Sequence, residues 1–264
     1  MGSESSWVGS MPETYDRCLG PALFAPFADH LAGLAEASGP RRILELAAGT
    51  GITTAQLLRH LPSARLTATD LNPSMVAWGQ ANAPLAQWQA ADAEELDFPD
   101  TAFDLVVCQF GVMFFPDRRR AYVEALRVLA PGGGMLFSSW DVVEKSTFPA
   151  AMTTALGTLF PDDPPDFLAR IPHGYSDPEQ LSSDVRSAGF AEVAVSSVVL
   201  RGRAESARSL TEGFCLGTPL RFALEARGEL ASVTEALSVE MMTLLGKGPL
   251  EGELVAHVVS ARRP

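Results

Sequence analysis

Short apolar runs alternate with amphipathic helical patterns through the first 140 residues of the chain. The spans between the runs are too long for hairpins and long enough for crossover helices, so the pattern predicts βαβ units around a mostly parallel sheet. The strands are predicted at residues 41–46, 66–69, 86–91, 103–110 and 134–140. The intervening helices are predicted at residues 53–60, 73–82 and 117–129, the last of them stopped by a Pro-Gly-Gly-Gly run.

The rhythm of strands and helices changes after residue 140. A proline-rich stretch at 148–172 precedes a short helix at 178–188, an alternating strand at 191–200, a long helical region at 205–245 and a final strand at 254–261. Neither an internal repeat nor a low-complexity linker interrupts the chain, so we predict a single domain over 1–264. Segments 1–38, 141–175 and 205–247 are the expected lid and substrate segments.

Composition and charge narrow the class of protein. At 264 residues and 47% apolar the chain can bury one sizeable core. Its formal net charge of −12 would repel a nucleic-acid backbone, so we expect no nucleic-acid partner. The basic run Arg118–Arg120 is more simply a solvated helix start.

The cysteines and the N-terminal sequence indicate the cellular compartment of the protein. Three widely spaced cysteines fit reduced thiols rather than a disulfide framework or a metal site. Residues 1–10 lack a basic region followed by an apolar core, and no stretch approaches the length of a membrane span. The sequence therefore predicts a cytoplasmic protein with no membrane span and no metal.

A run of small residues follows the first predicted strand, in Ile43 to Gly51. Small residues permit a tight strand-to-helix turn, and the amides at the start of the next helix can receive a carboxylate or phosphate of a ligand. The alternative is an ordinary tight turn with packing glycines.

Two acids follow the next two strands. Asp70 lies 19 residues after Gly51, at a spacing where a carboxylate reaches the cis-diol of a ribose. It could instead cap the helix that starts at Pro73. Asp92 ends the third strand and could accept a hydrogen bond from the exocyclic amine of an adenine. The carboxyl edge of an open α/β sheet is where such ligands bind.

With these motifs, the chain resembles the class I S-adenosylmethionine (SAM)-dependent methyltransferases, in the methyltransferase type 11 group related to quinone-biosynthesis C-methyltransferases. The resemblance covers about residues 15–140 by motif. It implies a Rossmann-like α/β fold with a mostly parallel seven-stranded sheet, a final antiparallel strand and a helical lid. One departure is Ala47, which stands where many members carry glycine.

The resemblance implies roles for named residues. Glu45 is expected near the methionine amino group of SAM, Leu71 and Met75 beside adenine, and Tyr15 on an N-terminal helix that closes over the cofactor. An aromatic face also attracts a sulfonium cation, although Tyr15 could simply pack against the core. The full set of expected SAM-binding residues is Tyr15, Glu45, Ala47, Gly49, Thr50, Gly51, Asp70, Leu71, Met75, Asp92, Ala93, Gln109 and Phe110.

The sequence gives fewer signals for the residues that bind the methyl acceptor. We expect Met113, Phe114 and Tyr175 in the substrate pocket, where an apolar wall suits a hydrophobic or aromatic acceptor. Met113 and Phe114 could instead be core residues. His173 is the best-placed candidate for a catalytic base, with a solvated or capping role as the alternative. The expected partner is a small-molecule acceptor, the product of the cofactor is S-adenosylhomocysteine, and a homodimer is allowed.

Two other functions share parts of this pattern. An NAD(P)-dependent oxidoreductase would use the same kind of loop and acid, but the sequence has no Tyr-x-x-x-Lys pair and lacks the third spaced glycine of the dinucleotide fingerprint. A SAM-binding protein that does not methylate remains open. Which atom of the acceptor receives the methyl group is also open.

Overall fold

The structure is a computed structural model that describes residues 9–264. Residues 1–8, the start of the predicted 1–38 segment, lie outside the described residues. The strands are β1 (Arg42–Glu45), β2 (Arg65–Asp70), β3 (Gln87–Ala90), β4 (Phe103–Gln109), β5 (Leu129–Trp140), β6 (Ala191–Ala204) and β7 (Leu250–Arg262).

The helices of the first half begin with one continuous helical segment of three parts. These are α1 (Met11–Thr14), a π-helix (Tyr15–Phe24) and α2 (Ala25–Ser38). The next helices are α3 (Ile52–His60), α4 (Pro73–Asn82) and α5 (Arg118–Val128), and a 3₁₀ turn covers Val112–Phe114. As predicted, α5 starts at the arginine run, where the Asp117 side chain accepts a hydrogen bond from the Arg120 amide.

The helices of the second half follow β5. They are α6 (Thr147–Leu159), α7 (Phe167–Arg170), α8 (Pro178–Ser187), α9 (Ala207–Gly217), α10 (Leu220–Glu225) and α11 (Leu230–Leu245), with a 3₁₀ turn at Val143–Lys145. The proline-rich stretch is therefore partly helical. Pro149 is tolerated because it lies in the first turn of α6, where its missing N–H has no intrahelical partner.

The seven strands form one sheet in the order β3-β2-β1-β4-β5-β7-β6. Strands β1 to β5 pair in parallel, with Ile43 opposite both Leu66 and Leu105. Strand β7 runs antiparallel to β5, with Phe137 opposite Val259. The predicted fold class, a mostly parallel seven-stranded sheet with a final antiparallel strand, is confirmed.

Several predicted boundaries were wrong. Strand β5 begins at Leu129, five residues earlier than expected, because the glycine run forms a register shift within the strand and does not precede it. Strand β7 begins at Leu250 and β6 continues to Ala204, beyond the predicted ends. The long helical region at 205–245 is divided into three helices, with breaks near Pro219 and Gly228.

The chain divides into two compact units. One comprises residues up to Pro26, Asp141–Gly174 and Val199–Val255, and the other Phe27–Trp140, Tyr175–Val198 and Ala256–Pro264. The parallel strands β1 to β5 belong to the second unit. A single functional domain over 1–264 stays a prediction.

The unit that contains the parallel strands has a core between the sheet and helices α2 and α3. Its apolar side chains are almost fully buried, which supplies the main free energy that holds helices on a sheet. The cluster includes Leu31, Ala35, Ile43, Leu57, Leu66, Leu105, Val107, Leu136 and Val258. This packing fixes where the carboxyl ends of the strands emerge.

The other unit packs the π-helix against α9. Close approach is possible because α9 carries glycines at the contact: a Cβ on Gly213 would lie 2.6 Å from a Leu19 methyl carbon, and one on Gly217 would lie 2.7 Å from the Tyr15 nitrogen. The expectation that no stretch is long enough for a membrane span was wrong by length and composition alone. Residues Met11–Ser38 form a helical segment of 28 residues that passes both criteria, but 61% of its most apolar window is buried inside the protein.

The ends of β1 and β4 touch at Ala47 and Gly111. Ala47 has a φ of +51°, a left-handed conformation that costs an alanine about 1 kcal/mol. Its methyl group is accommodated because Gly111 has none: a Cβ on Gly111 would lie 2.5 Å from the Ala47 Cβ and 2.7 Å from Cys108 Sγ. Gly111 therefore leaves the room that an alanine needs at position 47.

We predict that Gly111→Ala destabilises the fold by about 1 to 3 kcal/mol, because the added methyl group overpacks this contact. Thermal unfolding followed by circular dichroism measures the change. Ala47→Gly in the same chain should restore part of the loss, because it removes one of the two clashing neighbours.

Gly157→Ala is the matched control for this prediction. A Cβ there meets nothing within 4 Å and Gly157 lies within α6, so alanine should leave the stability unchanged or raise it. Equal unfolding temperatures for Gly111→Ala and the wild type would contradict the proposed contact.

Candidate functional site

The carboxyl ends of β1, β2 and β4 lie side by side in the sheet. Each is followed by a segment with residues that the sequence singled out: the small-residue loop after Glu45, the turn after Asp70 and the turn after Gln109. Asp92 follows β3, the next strand outward. The sheet therefore brings together four of the predicted positions at one edge, as the parallel arrangement requires.

The small-residue loop adopts a left-handed conformation at every second residue. The φ angles are +51° at Ala47, +56° at Gly49 and +87° at Gly51. Backbone hydrogen bonds anchor it to both neighbouring strands, from Leu46 N to Val107 O at 2.8 Å and from Ala48 N to Thr69 O at 2.9 Å. A Cβ placed on Gly49 would meet nothing within 4 Å, so open space lies above the loop.

Asp70 ties the loop to β2. One carboxylate oxygen accepts a hydrogen bond from the Gly49 amide at 2.9 Å, and the other accepts one from the Asn72 amide at 2.8 Å. The alternative that Asp70 caps the following helix was wrong, because Asn72 is the cap and accepts from the Ser74 amide at 2.8 Å. Burial raises the pKa of Asp70, while the two amide donors oppose that rise.

Glu45 is a buried carboxyl group, with 1% of its surface exposed. Burial raises its pKa to about 8, the nearby Asp70 charge adds to the rise, and the hydrogen bond from Thr54 opposes it. Thr54 Oγ1 donates to Glu45 Oε2 at 2.6 Å. At neutral pH this carboxyl group therefore holds a proton and is poised to ionise beside a cation.

The residues expected around adenine occupy different environments. Met75 is buried on α4, whereas Leu71 is 49% exposed immediately after β2. Asp92 is exposed and accepts a hydrogen bond from the Glu94 amide at 2.9 Å, and Ala93 beside it is buried. An exposed leucine beside an open loop offers apolar surface to a flat ring.

Phe110 closes the end of β4 and carries backbone strain. Its φ of +51° is unusual for a bulky residue. Its ring stacks on Trp140 with centroids 3.6 Å apart, and the Phe27 ring meets both edge-on at 5.3 Å. Gln109, just before it, is half-buried. Aromatic packing therefore holds Phe110 in a conformation that its backbone disfavours.

The three residues expected in the substrate pocket are placed differently. Met113 is buried and Phe114 is half-buried in the 3₁₀ turn after β4. Tyr175 is 1% exposed, and its hydroxyl group donates to Asp184 at 2.8 Å and accepts from Tyr122 at 3.3 Å. Tyr175 thus belongs to a buried network between α5 and α8.

His173 and Tyr15 belong to the other unit. His173 is buried, which contradicts the solvated alternative, and its Nδ1 lies 2.6 Å from the Asp141 carbonyl oxygen. Burial lowers its pKa to about 4, so the ring is neutral at pH 7. Because the carbonyl requires a donor, Nδ1 carries the proton and Nε2 has the lone pair. Tyr15 starts the π-helix and stacks on Phe24 with centroids 4.7 Å apart.

Sequence reasoning missed three residues that shape this site: Thr54, Phe27 and Trp140. Thr54 could have been found from the sequence, because it lies in the first turn of the predicted helix at 53–60, shortly after Glu45, which was already a candidate site residue. The two aromatic residues carried no such signal, since their contacts join positions far apart in the chain. Within residues 9–264 no group of three or more His, Cys, Asp or Glu side chains could hold a metal.

Comparison with known proteins identifies the family. A methyltransferase domain family matches residues 44–137. The chain is 38% identical over 119 residues to a demethylmenaquinone methyltransferase of Thermus thermophilus, a match that covers 44% of this chain and 54% of that enzyme. It is 32% identical over 177 residues to the ubiquinone/menaquinone biosynthesis C-methyltransferase UbiE of Stutzerimonas stutzeri, which covers 60% of this chain and 69% of that enzyme.

The fold agrees with this result. The structure of Haemonchus contortus phosphoethanolamine N-methyltransferase 2 in complex with SAM superposes with a TM-score of 0.61 at 15% identity, over 100% of this chain and 60% of that one. The chain therefore belongs to the class I SAM-dependent methyltransferases, in the type 11 group related to UbiE, and SAM is its cofactor.

Proposed function

We propose that this protein transfers a methyl group from SAM to a small hydrophobic or aromatic acceptor. The observation that carries the proposal is the loop at Gly49, which has open space above it, is fixed by a hydrogen bond to Asp70 and follows the buried carboxyl group of Glu45. The residues fit the cofactor. The space above Gly49 admits a ligand, and the two acids match a diol and a cationic amine.

In this proposal Asp70 binds the ribose. Each of its oxygens accepts one backbone amide, which leaves lone pairs on both for the two hydroxyl groups. Glu45 faces the methionine amino group, and Leu71, Met75, Asp92 and Ala93 surround the adenine. The loop residues Ala47, Thr50 and Gly51 approach the cofactor through their backbone, and Gln109 and Phe110 limit it at the end of β4.

The acceptor side follows from the residues after β4. Phe114 is half-buried and Met113 is buried in the 3₁₀ turn after β4, and we propose that this apolar turn forms one wall of the acceptor pocket. Two relatives are named as methyltransferases of demethylmenaquinone and of ubiquinone/menaquinone biosynthesis. Quinones have an apolar ring that is aromatic in the reduced quinol, and this supports the choice of acceptor class. The roles of Tyr15 towards the cofactor and of His173 towards the acceptor stay predictions, and we propose that Tyr175 supports the pocket from its buried network.

Bound SAM supplies an electrophilic methyl group on a good leaving group. The protein then has to orient the acceptor in line with that group and exclude water. A base is needed only where the acceptor must lose a proton. His173 is a weak base because of its burial, so we propose that any role it has towards the acceptor is positioning and not proton abstraction.

A direct assay tests the proposed reaction. The purified protein is incubated with SAM and a panel of quinols, phenols and amines, and S-adenosylhomocysteine and methylated products are measured by mass spectrometry. Turnover of a quinol or phenol supports the proposal. Tight SAM binding without any product would favour a SAM-binding protein that does not methylate. We also propose that the protein is cytoplasmic. It could form a homodimer, and light scattering would detect that dimer.

We predict that Asp70→Ala weakens SAM binding by about 1 to 3 kcal/mol, because the ribose hydroxyl groups and the Gly49 amide lose a charged acceptor. Isothermal titration calorimetry measures the dissociation constant. Asp97→Ala, which removes an exposed aspartate, is the control and should bind normally. Unchanged affinity in a folded Asp70→Ala variant would remove this residue from the site.

We predict that the SAM affinity of the wild type depends on the ionisation of Glu45. The carboxyl group has a pKa of about 8 without ligand, and a cation binds better once the proton has left. Affinity should therefore rise as pH increases through 8. Relative to Glu45→Gln, which cannot ionise, the association constant should rise about tenfold between pH 7 and pH 9. Dividing the association constant of the wild type by that of Glu45→Gln removes the effect of titration of SAM itself.

The same variant should change stability without SAM. The folded-state pKa of Glu45 lies above the value of about 4.5 in an unfolded chain. Its contribution to the free energy of unfolding is therefore fully present below pH 4.5 and is lost as the pH rises towards 8. Glu45→Gln should thus gain in unfolding temperature relative to the wild type from pH 5 to pH 8. A constant difference over that range would show that Glu45 is ionised in the free protein.

We predict that Phe114→Ala and Met113→Leu change acceptor turnover by about tenfold or more while the SAM dissociation constant stays within about threefold, because both lie beyond the cofactor residues. Turnover is measured by mass spectrometry and binding by calorimetry. Val123→Ala, at an exposed position on α5, is the control. Parallel losses of turnover and SAM affinity would place the acceptor pocket elsewhere.

A further inference from the structure

The Thr54 side chain is buried behind the glycine loop and contacts an ionisable group. Thr54 is fully buried in the first turn of α3, and its Oγ1 donates to Glu45 Oε2 at 2.6 Å. The Glu45 backbone is fixed as well, because its carbonyl oxygen accepts from Thr69 Oγ1 at 2.8 Å. Both ends of Glu45 are therefore held by threonine hydroxyl groups from different elements.

The electrostatic surroundings of Glu45 oppose its ionisation. Asp70 on β2 repels a second negative charge, and the buried Cys108 thiol on β4 is close enough to interact electrostatically with the same carboxyl group. Burial removes water that would otherwise stabilise a carboxylate. The Thr54 hydroxyl group on α3 acts in the opposite direction, because a hydrogen bond to a carboxylate is stronger than one to a neutral acid.

We propose that Thr54 is a positioning residue for the cofactor: it fixes Glu45 Oε2, leaves Oε1 for the SAM ammonium group and favours the carboxylate, so that SAM binding releases a proton from Glu45. The inference rests on the proposed function. In this coupling the Glu45 O–H bond breaks, the proton passes to solvent and the carboxylate pairs with the ammonium group. No covalent bond of the cofactor changes.

Threonine is required here for its hydroxyl group and not only for its volume. Thr53, the preceding residue, is also buried in the same helical turn, but it makes no hydrogen bond to Glu45 among the described contacts. The two adjacent threonines thus provide a matched pair. Valine has nearly the same shape as threonine and lacks the donor, so Thr→Val at each position isolates the effect of the hydroxyl group.

The experiment compares the wild type with Thr54→Val, Thr54→Ser and the control Thr53→Val. SAM binding is measured by calorimetry from pH 6 to pH 9.5, in buffers of different ionisation enthalpy that report the number of protons released. The wild type should release close to one proton per SAM at pH 7. Thr54→Val should bind SAM about tenfold more weakly at pH 7 but within about twofold at pH 9.5, because loss of the hydrogen bond raises the pKa of Glu45.

The controls separate positioning from packing. Thr54→Ser should restore the wild-type pH profile, and Thr53→Val should leave it unshifted. An equal loss of affinity by Thr54→Val at every pH would mean a merely structural role and would overturn the proposal. So would an unchanged profile, or a wild type that releases no proton.

A measurement without SAM distinguishes this proposal from the proposed function. The deficit in unfolding temperature of Thr54→Val should grow between pH 7 and pH 9, because the hydroxyl group stabilises the ionised carboxyl group more than the neutral one. A growing deficit in a protein that fails to bind SAM would retain the Thr54–Glu45 interaction and overturn the proposed function. A constant deficit would overturn the role of Thr54 even if SAM binds and turns over.

Discussion

The hydrogen bonds between the Asp70 carboxylate and two backbone amides are the interaction on which the site depends. The bond to Gly49 crosses from β2 to the loop after β1, and the bond to Asn72 shapes the turn before α4. A left-handed loop has few hydrogen bonds of its own, so an acceptor from the next strand decides its conformation. Because parallel strands bring their carboxyl ends to one edge, a single side chain can fix the loop, the helix start and the ligand-facing surface together.

This arrangement creates an electrostatic cost that the structure resolves locally. Two carboxyl groups, Glu45 and Asp70, are close enough to influence each other in surroundings that exclude water. Asp70 has two amide donors, whereas Glu45 has one hydroxyl donor and keeps a proton at neutral pH. Because Asp70 has more hydrogen-bond donors than Glu45, the negative charge resides on Asp70, which holds the loop. Under the proposed function, a cationic ligand then supplies the charge that Glu45 lacks, so the free protein tolerates a buried acid that becomes ionised only when it is needed.

Local sequence patterns predicted the fold and the meeting of Glu45, Asp70 and Asp92 at one edge of the sheet. Strand alternation, the positions of proline and glycine and the spacing of these acids are all properties of short segments. It failed where the outcome depends on distant contacts. For His173, the candidate catalytic base, the solvated alternative was wrong, because its ring is buried against the Asp141 carbonyl, 32 residues away. The hydrogen bonds from the Tyr175 hydroxyl group to Asp184 and from Tyr122 to it could not be predicted, because these residues are far apart in the chain, and its place in the substrate pocket stays a prediction. Asn72 takes the cap because it directly precedes Pro73, so that its side chain reaches the amide at the second helical position better than Asp70 can.

The strained residues show how the edge is kept open. Ala47 and Phe110 both have positive φ angles without being glycine, and they end adjacent strands. Such conformations persist only where neighbouring groups determine them: Gly111 makes room for the Ala47 methyl group, and Trp140 and Phe27 hold the Phe110 ring. Relaxing Phe110 would turn its ring away from Trp140 and change the surface that follows β4. The strain is therefore offset by packing beneath the edge, and the packing leaves the backbone above it free to approach a ligand.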